Sequence, residues 1–463
     1  MNARRLWALW AASAAMACMM AAASCAGPEM QRSWQKPQVV RIEGGDKWFT
    51  FFPSYVTWES VSAEGRPAGV LLRDGELIGP VKGIPFPYRS ADGQLLKVAV
   101  EEWRTELAGK TVSLMVDAQG AGAEGWKWLE KASPQDMAGL RLLEVRGGID
   151  AAHLALLRKL AAANPGITLS LDDRAAVGQV LPLFRPRVMR LGGDMLAPED
   201  RKVVADQRQL ETLFLSAKEP GSLDVLPQLP ALRCLMVANW EVEKAGPFPK
   251  GCDRLRALAV FGSSDLMKDM SGLPNVSGLE ELSLLVCKPL ADLSGLAKFP
   301  NLKTLILTGC ESVTDVSALK GLKQLRRLGL PPQTTQEQFA TIVRDHPGLT
   351  VLEVVGCEDI KDFGPLRDLK GLEDLVLVGP YKDVAVLREV KSLRFVAYAD
   401  PSAKDETPAR VAEIAKALPD ATVVQAAPMC LGSGWILLLL PAAALVWLIP
   451  SRRRGAARGP QHG

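Results

Sequence analysis

One spacing constrains this chain more than anything else in it. Leu279-x-x-Leu282-x-Leu284-x-x-Cys287 is followed by Asp292-Leu293-Ser294, and the same arrangement returns as Leu302-x-x-Leu305-x-Leu307-x-x-Cys310 with Asp315-Val316-Ser317. A third copy opens at Leu325-x-x-Leu328-x-Leu330, so Leu279, Leu302 and Leu325 stand 23 residues apart. In an extended strand alternate residues share a face, so the L-x-L core of each copy buries two leucines on one side. The outer leucine fills the space behind them. A unit this short cannot bury that face alone, so copies must stack and share one continuous core.

The period extends well beyond this stretch. Starts at Leu210, Leu232, Leu255, Leu279, Leu302, Leu325, Leu349, Leu372 and Leu393 are separated by 22, 23, 24, 23, 23, 24, 23 and 21 residues. Weaker copies precede them at Leu140-x-x-Leu143-x-Val145, Thr168–Leu171 and Met189–Leu191, so repeats are expected over 139–425. Most returning segments are short and carry Asp-x-Ser or Asp-x-Gly, as at Asp362-Phe363-Gly364, where the carboxylate bonds to nearby backbone and fixes a turn. Three are read as helices. Asp150 caps one through Leu160, Thr335-x-x-Gln338 makes a capping box before Phe339, Ile342 and Val343, and Thr407-Pro408 opens one that ends the solenoid with the strand Ala421–Val424. A terminal unit of that kind covers the core of the last rung.

L-x-x-L-x-L-x-x-N/C at this period resembles the leucine-rich-repeat family, and the Asp-x-Ser turns are similar to bacterial internalin-like repeats. The resemblance covers roughly 290 residues by pattern. It implies an α/β solenoid, with short parallel strands on a concave face and turns, 3-10 segments and helices on the convex one. It also implies recognition of a macromolecule through the concave face. It names no ligand, because function resides in the site and not the fold.

The ends read differently. Arg4 and Arg5 precede an apolar run to about Ala23, as in a secretory signal peptide over 1–25. Ala22-Ala23-Ser24-Cys25 resembles a bacterial lipoprotein box lacking its usual leucine, which makes Cys25 a lipidation candidate beside ordinary cleavage near Ala23 or Ala26. At the other end a short tether, 426–434, leads into the uncharged run Leu431–Pro450, and Arg452, Arg453 and Arg454 follow. Twenty such residues suit one bilayer crossing, and the arginines place the tail, 451–463, in the cytoplasm. Cys430, the glycines, the span and the arginines also look like bacterial C-terminal sorting signals of the myxobacterial or rhombosortase-linked type, without their Gly-Cys pair. The expected location is a bacterial cell envelope, with a single-pass anchor unless the tail is cleaved.

Residues 27–134 have another character. They carry six of eleven tryptophans (Trp34, Trp48, Trp58, Trp103, Trp126, Trp128) and strand candidates at Lys47–Phe52, Gly69–Leu72, Lys97–Val100 and Thr111–Val116. Arg73-Asp74-Gly75-Glu76 reads as a tight hairpin turn. A small β-rich domain or cap is expected, its tryptophans serving chiefly as core, with glycan or peptide binding as the alternative.

Catalytic chemistry finds little support. The chain has three histidines and no His-Glu-x-x-His, Cys-x-x-Cys, phosphate-binding glycine loop or nucleophile elbow, so no catalytic residue, metal or cofactor is expected. A net charge of +3 on 463 residues argues against nucleic acid as a partner. Cys287, Cys310 and Cys357 each stand three residues after the last apolar strand position (Leu284, Leu307 and Val354) and read as a structural ladder, since metal ligands must converge on a point instead of spreading along an axis. Cys234 and Cys252, in adjacent rungs, are a candidate disulfide in an oxidising compartment, although one is on a strand and the other precedes the next.

What remains is the face between the leucines. Its candidates for partner binding are Phe214, Met236, Phe261, Leu285, Ile306, Thr308 and Glu353, flanked by Glu280, Glu281, Lys303 and Arg326. An apolar centre with a charged rim is the composition of a protein-binding surface. The sequence is therefore read as a membrane-anchored, non-enzymatic repeat protein that binds a protein partner. The alternatives are an enzymatic or glycan-binding N-terminal domain carried on a repeat scaffold, and a structural envelope protein. A further possibility is that the N-terminal domain folds over the concave face.

Overall fold

The computed structural model describes the backbone of residues 38–43, 70–71, 76–79, 97–101, 106–107, 110–111 and 113–117 and, apart from short gaps, residues 123–425. The expected signal (1–25, with Cys25), the tether, the span 431–450 and the tail 451–463 lie outside the described residues, as do Lys47–Phe52 and Trp34, Trp48, Trp58 and Trp103. Among the described residues no helix is long and apolar enough to cross a membrane.

The described N-terminal strands are β1 (Gln38–Glu43), β2 (Val70–Leu71), β3 (Glu76–Gly79) and β4 (Lys97–Glu101), which form an antiparallel sheet in the order β2-β3-β1-β4. The expected hairpin is β2–β3, with Leu71 opposite Leu77. A two-stranded ribbon, β5 (Glu106–Leu107) with β6 (Lys110–Thr111), follows.

The repeats build one parallel sheet of fourteen strands, each beside its neighbours in sequence. They are β7 (Ser113–Asp117), β8 (Leu142–Arg146), β9 (Thr168–Leu171), β10 (Val188–Leu191), β11 (Thr212–Ser216), β12 (Cys234–Trp240) and β13 (Ala257–Ser263), then β14 (Glu281–Leu285), β15 (Thr304–Ile306), β16 (Arg327–Gly329), β17 (Val351–Val355), β18 (Asp374–Val378), β19 (Phe395–Ala399) and β20 (Thr422–Gln425). Leu213, Leu235, Leu258, Leu282, Leu305, Leu328, Leu352 and Leu375 stand in register across β11–β18 and are all fully buried. At roughly 1.5–3 kcal/mol per buried leucine side chain, such rows are the main stabilising contribution to a solenoid. The core runs unbroken from Leu114 to Leu418. Strand order and register are those of a parallel solenoid of stacked, leucine-bearing repeats.

The sheet begins one rung earlier than the leucine pattern. Strand β7 lies in the segment assigned to the N-terminal domain, yet it pairs parallel with β8, Leu114 beside Leu143. Behind it packs α1 (Ala123–Lys131), a helix inside a stretch read as β-rich. Its Trp126 is buried, donates its indole N–H to the Asp117 carbonyl at 3.1 Å and stacks on His153 with ring centroids 4.1 Å apart. The solenoid therefore starts inside 27–134 and carries two of that segment's tryptophans as structure.

The returning segments follow their sequence signals. Asp292, Asp315 and Asp362 accept the backbone N–H two residues on at 2.7, 2.8 and 2.7 Å, and each such turn opens a 3-10 segment. Asp150 caps the helix Ala151–Ala163 by accepting from the His153 N–H at 2.8 Å. The capping box of Thr335 and Gln338 opens Gln336–Asp345. Shorter helices at Arg174–Val180 and Arg201–Ala205 carried no comparable signal.

One backbone requirement recurs at the turn after the strand. Gly147, Val286, Gly309 and Gly356 hold positive φ there, and Asn239 and Gly262 hold it near the ends of the longer strands β12 and β13. Gly309, at φ +77°, also lies close against the preceding turn, where an added Cβ would sit 3.2 Å from the Val286 Cα. Gly309→Ala should therefore cost about 1–3 kcal/mol. Equal urea midpoints for parent and variant would contradict this.

Cys287, Cys310 and Cys357 are fully buried at the predicted ladder position, each with its sulfur against backbone carbonyls; Cys310 Sγ lies 3.0 Å from the Leu284 oxygen. Cys234 and Cys252 are free, which corrects the candidate disulfide. Cys234 belongs to a cluster on the outward face of β12, whereas Cys252 packs in the main core, so the sheet separates them. Burial, with Asp253 nearby, raises the Cys252 thiol to about 11, and burial raises Cys357 to about 12. Cys310 is raised well above its ordinary value by the Cys287 sulfur beside it and by burial. A thiol whose folded value exceeds its unfolded one, near 8.5, contributes stability that is complete below pH ~8.5 and is lost as pH rises through 11 to 12. The melting temperature should accordingly fall on the alkaline side, and iodoacetamide at pH 8 should label these cysteines only after unfolding. Rapid native labelling would contradict the burial.

Candidate functional site

Alternation along each strand leaves three rows of side chains on the sheet face opposite the core. The middle row runs Phe214, Met236, Ala259, Ser283, Ile306, Gly329, Glu353 in register across β11–β17. Beyond it lies the row containing Phe261, Leu285 and Thr308. The third row, on the other side, runs Thr212, Cys234, Ala257, Glu281, Thr304, Arg327, Val351, Asp374. The fold thus brings Phe214, Met236, Phe261, Leu285, Ile306, Thr308, Glu281 and Glu353 to one face.

Glu280, Lys303 and Arg326 do not join them. Each precedes its strand and sits at the rim, engaged within the solenoid. Lys303 Nζ lies 3.0 Å from Glu280, Arg256 approaches the same carboxylate at 4.0 Å, and Arg326 donates to the Gly348 carbonyl at 2.9 Å. Exposed pairs of this kind contribute little stability. They clamp neighbouring rungs.

The central rows are less open than the sequence suggests. Relative exposure is 7% at Phe214, 5% at Met236, 6% at Leu285 and 1% at Ile306, while Phe261 is half-buried. Phe214, Cys234, Met236, Ala257 and Ala259 form an apolar cluster separate from the main core, on the opposite side of the sheet. Side chains on strands less than 5 Å apart flank one another along each row, so they shield their neighbours. The expected solvent-facing row is therefore a packed apolar floor.

The electrostatic centre includes Arg327, which is not among the residues singled out from the sequence. Arg327 reaches from its row to Glu353 in the next, with Nη2 and Nε at 2.8 and 3.2 Å from Oε1. The Glu353 side chain is 0% exposed and that of Arg327 is 21%. Glu353 Oε2 has no hydrogen-bond partner, and neither do the buried hydroxyls of Ser283 and Thr308. The alternation rule that places Glu353 also places Arg327, immediately before a strand leucine, and was the signal that would have found it.

The two described histidines lie far apart in the solenoid, one on the helix Ala151–Ala163 and one at the end of Gln336–Asp345. His346 is buried, its ring nitrogens 3.0 and 2.9 Å from the Ile342 and Leu319 carbonyls, and His153 is stacked on Trp126. Among the described residues no group of His, Cys, Asp and Glu is placed to hold a metal ion.

No protein-family model matches the chain, and no curated protein does. Among solved structures, it is similar to an internalin, InlF, of Listeria monocytogenes, at 18% identity and a TM-score of 0.31, over 58% of this chain and 78% of that one. The functional domain of InlJ from the same organism, which includes a cysteine ladder, matches at 14% identity and 0.30, over 62% and 73%. A leucine-rich-repeat protein of Leptospira interrogans matches at 13% identity and 0.29, over 66% and 99%.

Proposed function

We propose that this chain is a membrane-anchored, extracytoplasmic repeat protein that binds a protein partner through its concave face and performs no catalysis. The observation that carries the reading is the second apolar cluster, Phe214, Cys234, Met236, Ala257 and Ala259, lying off the core on the sheet face. Those residues form no part of the main core, and grouped apolar area depleted of charge is the composition of an interface centre. Export and anchoring rest on the sequence alone, on Arg4 and Arg5 before the first apolar run and on the uncharged run 431–450 fenced by three arginines.

The test is joint alanine substitution of Phe214, Phe261, Leu285 and Ile306, with capture measured by crosslinking in intact cells. The partner should be lost, while a cooperative melt persists, because none of the four belongs to the main core cluster. An unchanged set of crosslinked neighbours would sink the reading.

A second reading has one observation in its favour. Strand β2 of the N-terminal sheet lies in contact with β10, whose two hydrogen-bonding edges are already occupied by β9 and β11. The N-terminal sheet would then cover part of the concave face, and any glycan or enzymatic role would belong to it. Deleting residues 27–111, which spares β7 and α1, distinguishes the two. Capture that survives the deletion favours the repeats as the binding element.

A further inference from the structure

We infer that the C-terminal half of the solenoid is a self-association surface, on which a second copy of this chain seats head to tail, the margin where strands begin against the margin where they end. The inference goes beyond the concave-face reading and concerns the two margins of the sheet. Because the strands of the large sheet run parallel, their starts lie on one margin and their ends on the other. Each of the five returns between β14 and β19 passes through one 3-10 segment or helix, which separates a part leaving one strand from a part entering the next. Among the described residues, the leaving parts hold six carboxylates, Asp292, Glu311, Asp315, Glu358, Asp359 and Asp362, against Lys288, Lys361 and Lys382. The entering parts hold six cations, Lys303, Lys323, Arg326, Lys370, Lys391 and Arg394, against one carboxylate, Glu373. All six of those carboxylates are exposed, and so are the cations other than Lys303.

Ion pairs within the chain do not remove this division. Lys288 pairs with Glu311 at 3.1 Å, both on the leaving side, and Lys303 pairs with Glu280 at 3.0 Å, which still leaves five exposed cations on the entering side. A margin of one sign several rungs long attracts a surface of the other sign, and this chain carries both. The rungs repeat at one spacing, just under about 5 Å, on either margin. A copy displaced along the strand direction therefore sets entering segments opposite leaving ones, rung against rung. A two-fold arrangement would set one margin against itself, cation against cation. The charges thus select a heterologous contact, which can extend into a row of copies. With a net charge of only +3 on 463 residues, overall repulsion between copies is small.

Sedimentation velocity of the full chain in detergent, over a range of concentrations, reads this association. It should weaken about tenfold between about 50 and about 500 mM NaCl, because salt screens exposed charges. Lys323→Glu with Lys391→Glu, and separately Glu311→Lys with Glu358→Lys, should each weaken it about tenfold at low salt. An equal mixture of the two variants should regain it, since the entering margin of the first, made acidic, meets the leaving margin of the second, made basic. All four positions are exposed, and melting curves establish that each variant is folded. The salt dependence of the parent chain decides the matter if one of them is not. A parent that stays monomeric at every concentration, an association indifferent to salt and to both variants, or a mixture no stronger than either variant alone overturns the head-to-tail contact. Each of those results leaves the concave-face reading standing, because that reading is tested by capture at Phe214, Phe261, Leu285 and Ile306.

Discussion

Arg327→Met alone should cost about 3–5 kcal/mol, the usual consequence of leaving a buried charge without its partner. The Glu353 side chain is 0% exposed, and both Arg327 donors serve one of its oxygens, at 2.8 and 3.2 Å. Water has no access to replace them. Because the penalty belongs to the orphaned carboxylate and not to the lost attraction, Arg327→Met with Glu353→Leu should recover most of the loss, two apolar side chains standing where an ion pair stood. Urea denaturation of the two single variants and the double variant measures this as a thermodynamic cycle. A single variant as stable as the parent would mean that the pair is solvated. A double variant as weak as the single would mean that Arg327 contributes chiefly by packing.

The second large effect is expected behind the sheet. Phe339, fully buried on Gln336–Asp345, meets Phe363 edge to face at 5.9 Å, and Phe363 meets Tyr381 in the same way at 5.2 Å. Tyr381 then accepts the Cys357 backbone N–H through its hydroxyl at 3.1 Å. The three rings tie successive returning segments to one another and to the cysteine turn. Phe339→Ala should cost about 3–5 kcal/mol. In a solenoid that loss stays near its origin, since each rung touches only its neighbours. Hydrogen exchange should therefore accelerate across β16–β18 while β11–β13 keep their protection. Uniform acceleration along the chain would show that the solenoid unfolds as one unit.

The sequence revealed the rungs because a leucine row is a periodic demand that every copy must meet. The same reasoning found the Asp150, Thr335 and Asp-x-Ser turns, where a local hydrogen bond leaves a local signature. It read a strand over Thr111–Val116 but did not recognise β7 as a rung of the solenoid, and it did not find α1, because an end rung is under no periodic demand. Its strand is recognisable only by the neighbour it pairs with, Leu114 beside Leu143. The Cys234–Cys252 pairing failed for a related reason, since proximity in rung number says nothing about which side of the sheet a side chain occupies. At the face, the rows containing Phe214 and Thr308 were legible from alternation. The importance of Arg327 was not, because it depends on a contact with Glu353 across 26 residues. Nor was the close packing of the floor, which arises between neighbouring rungs and not within any one copy.

The central claim is that the concave face receives another protein. A photo-crosslinking side chain at Phe261, half-buried on that face, with a control at Lys320 on the convex side, tests it in intact cells. Adducts joining Phe261 to a second protein, absent at Lys320, are the predicted result. Adducts confined to residues 27–111 of the same chain, or equal at both positions, would contradict it.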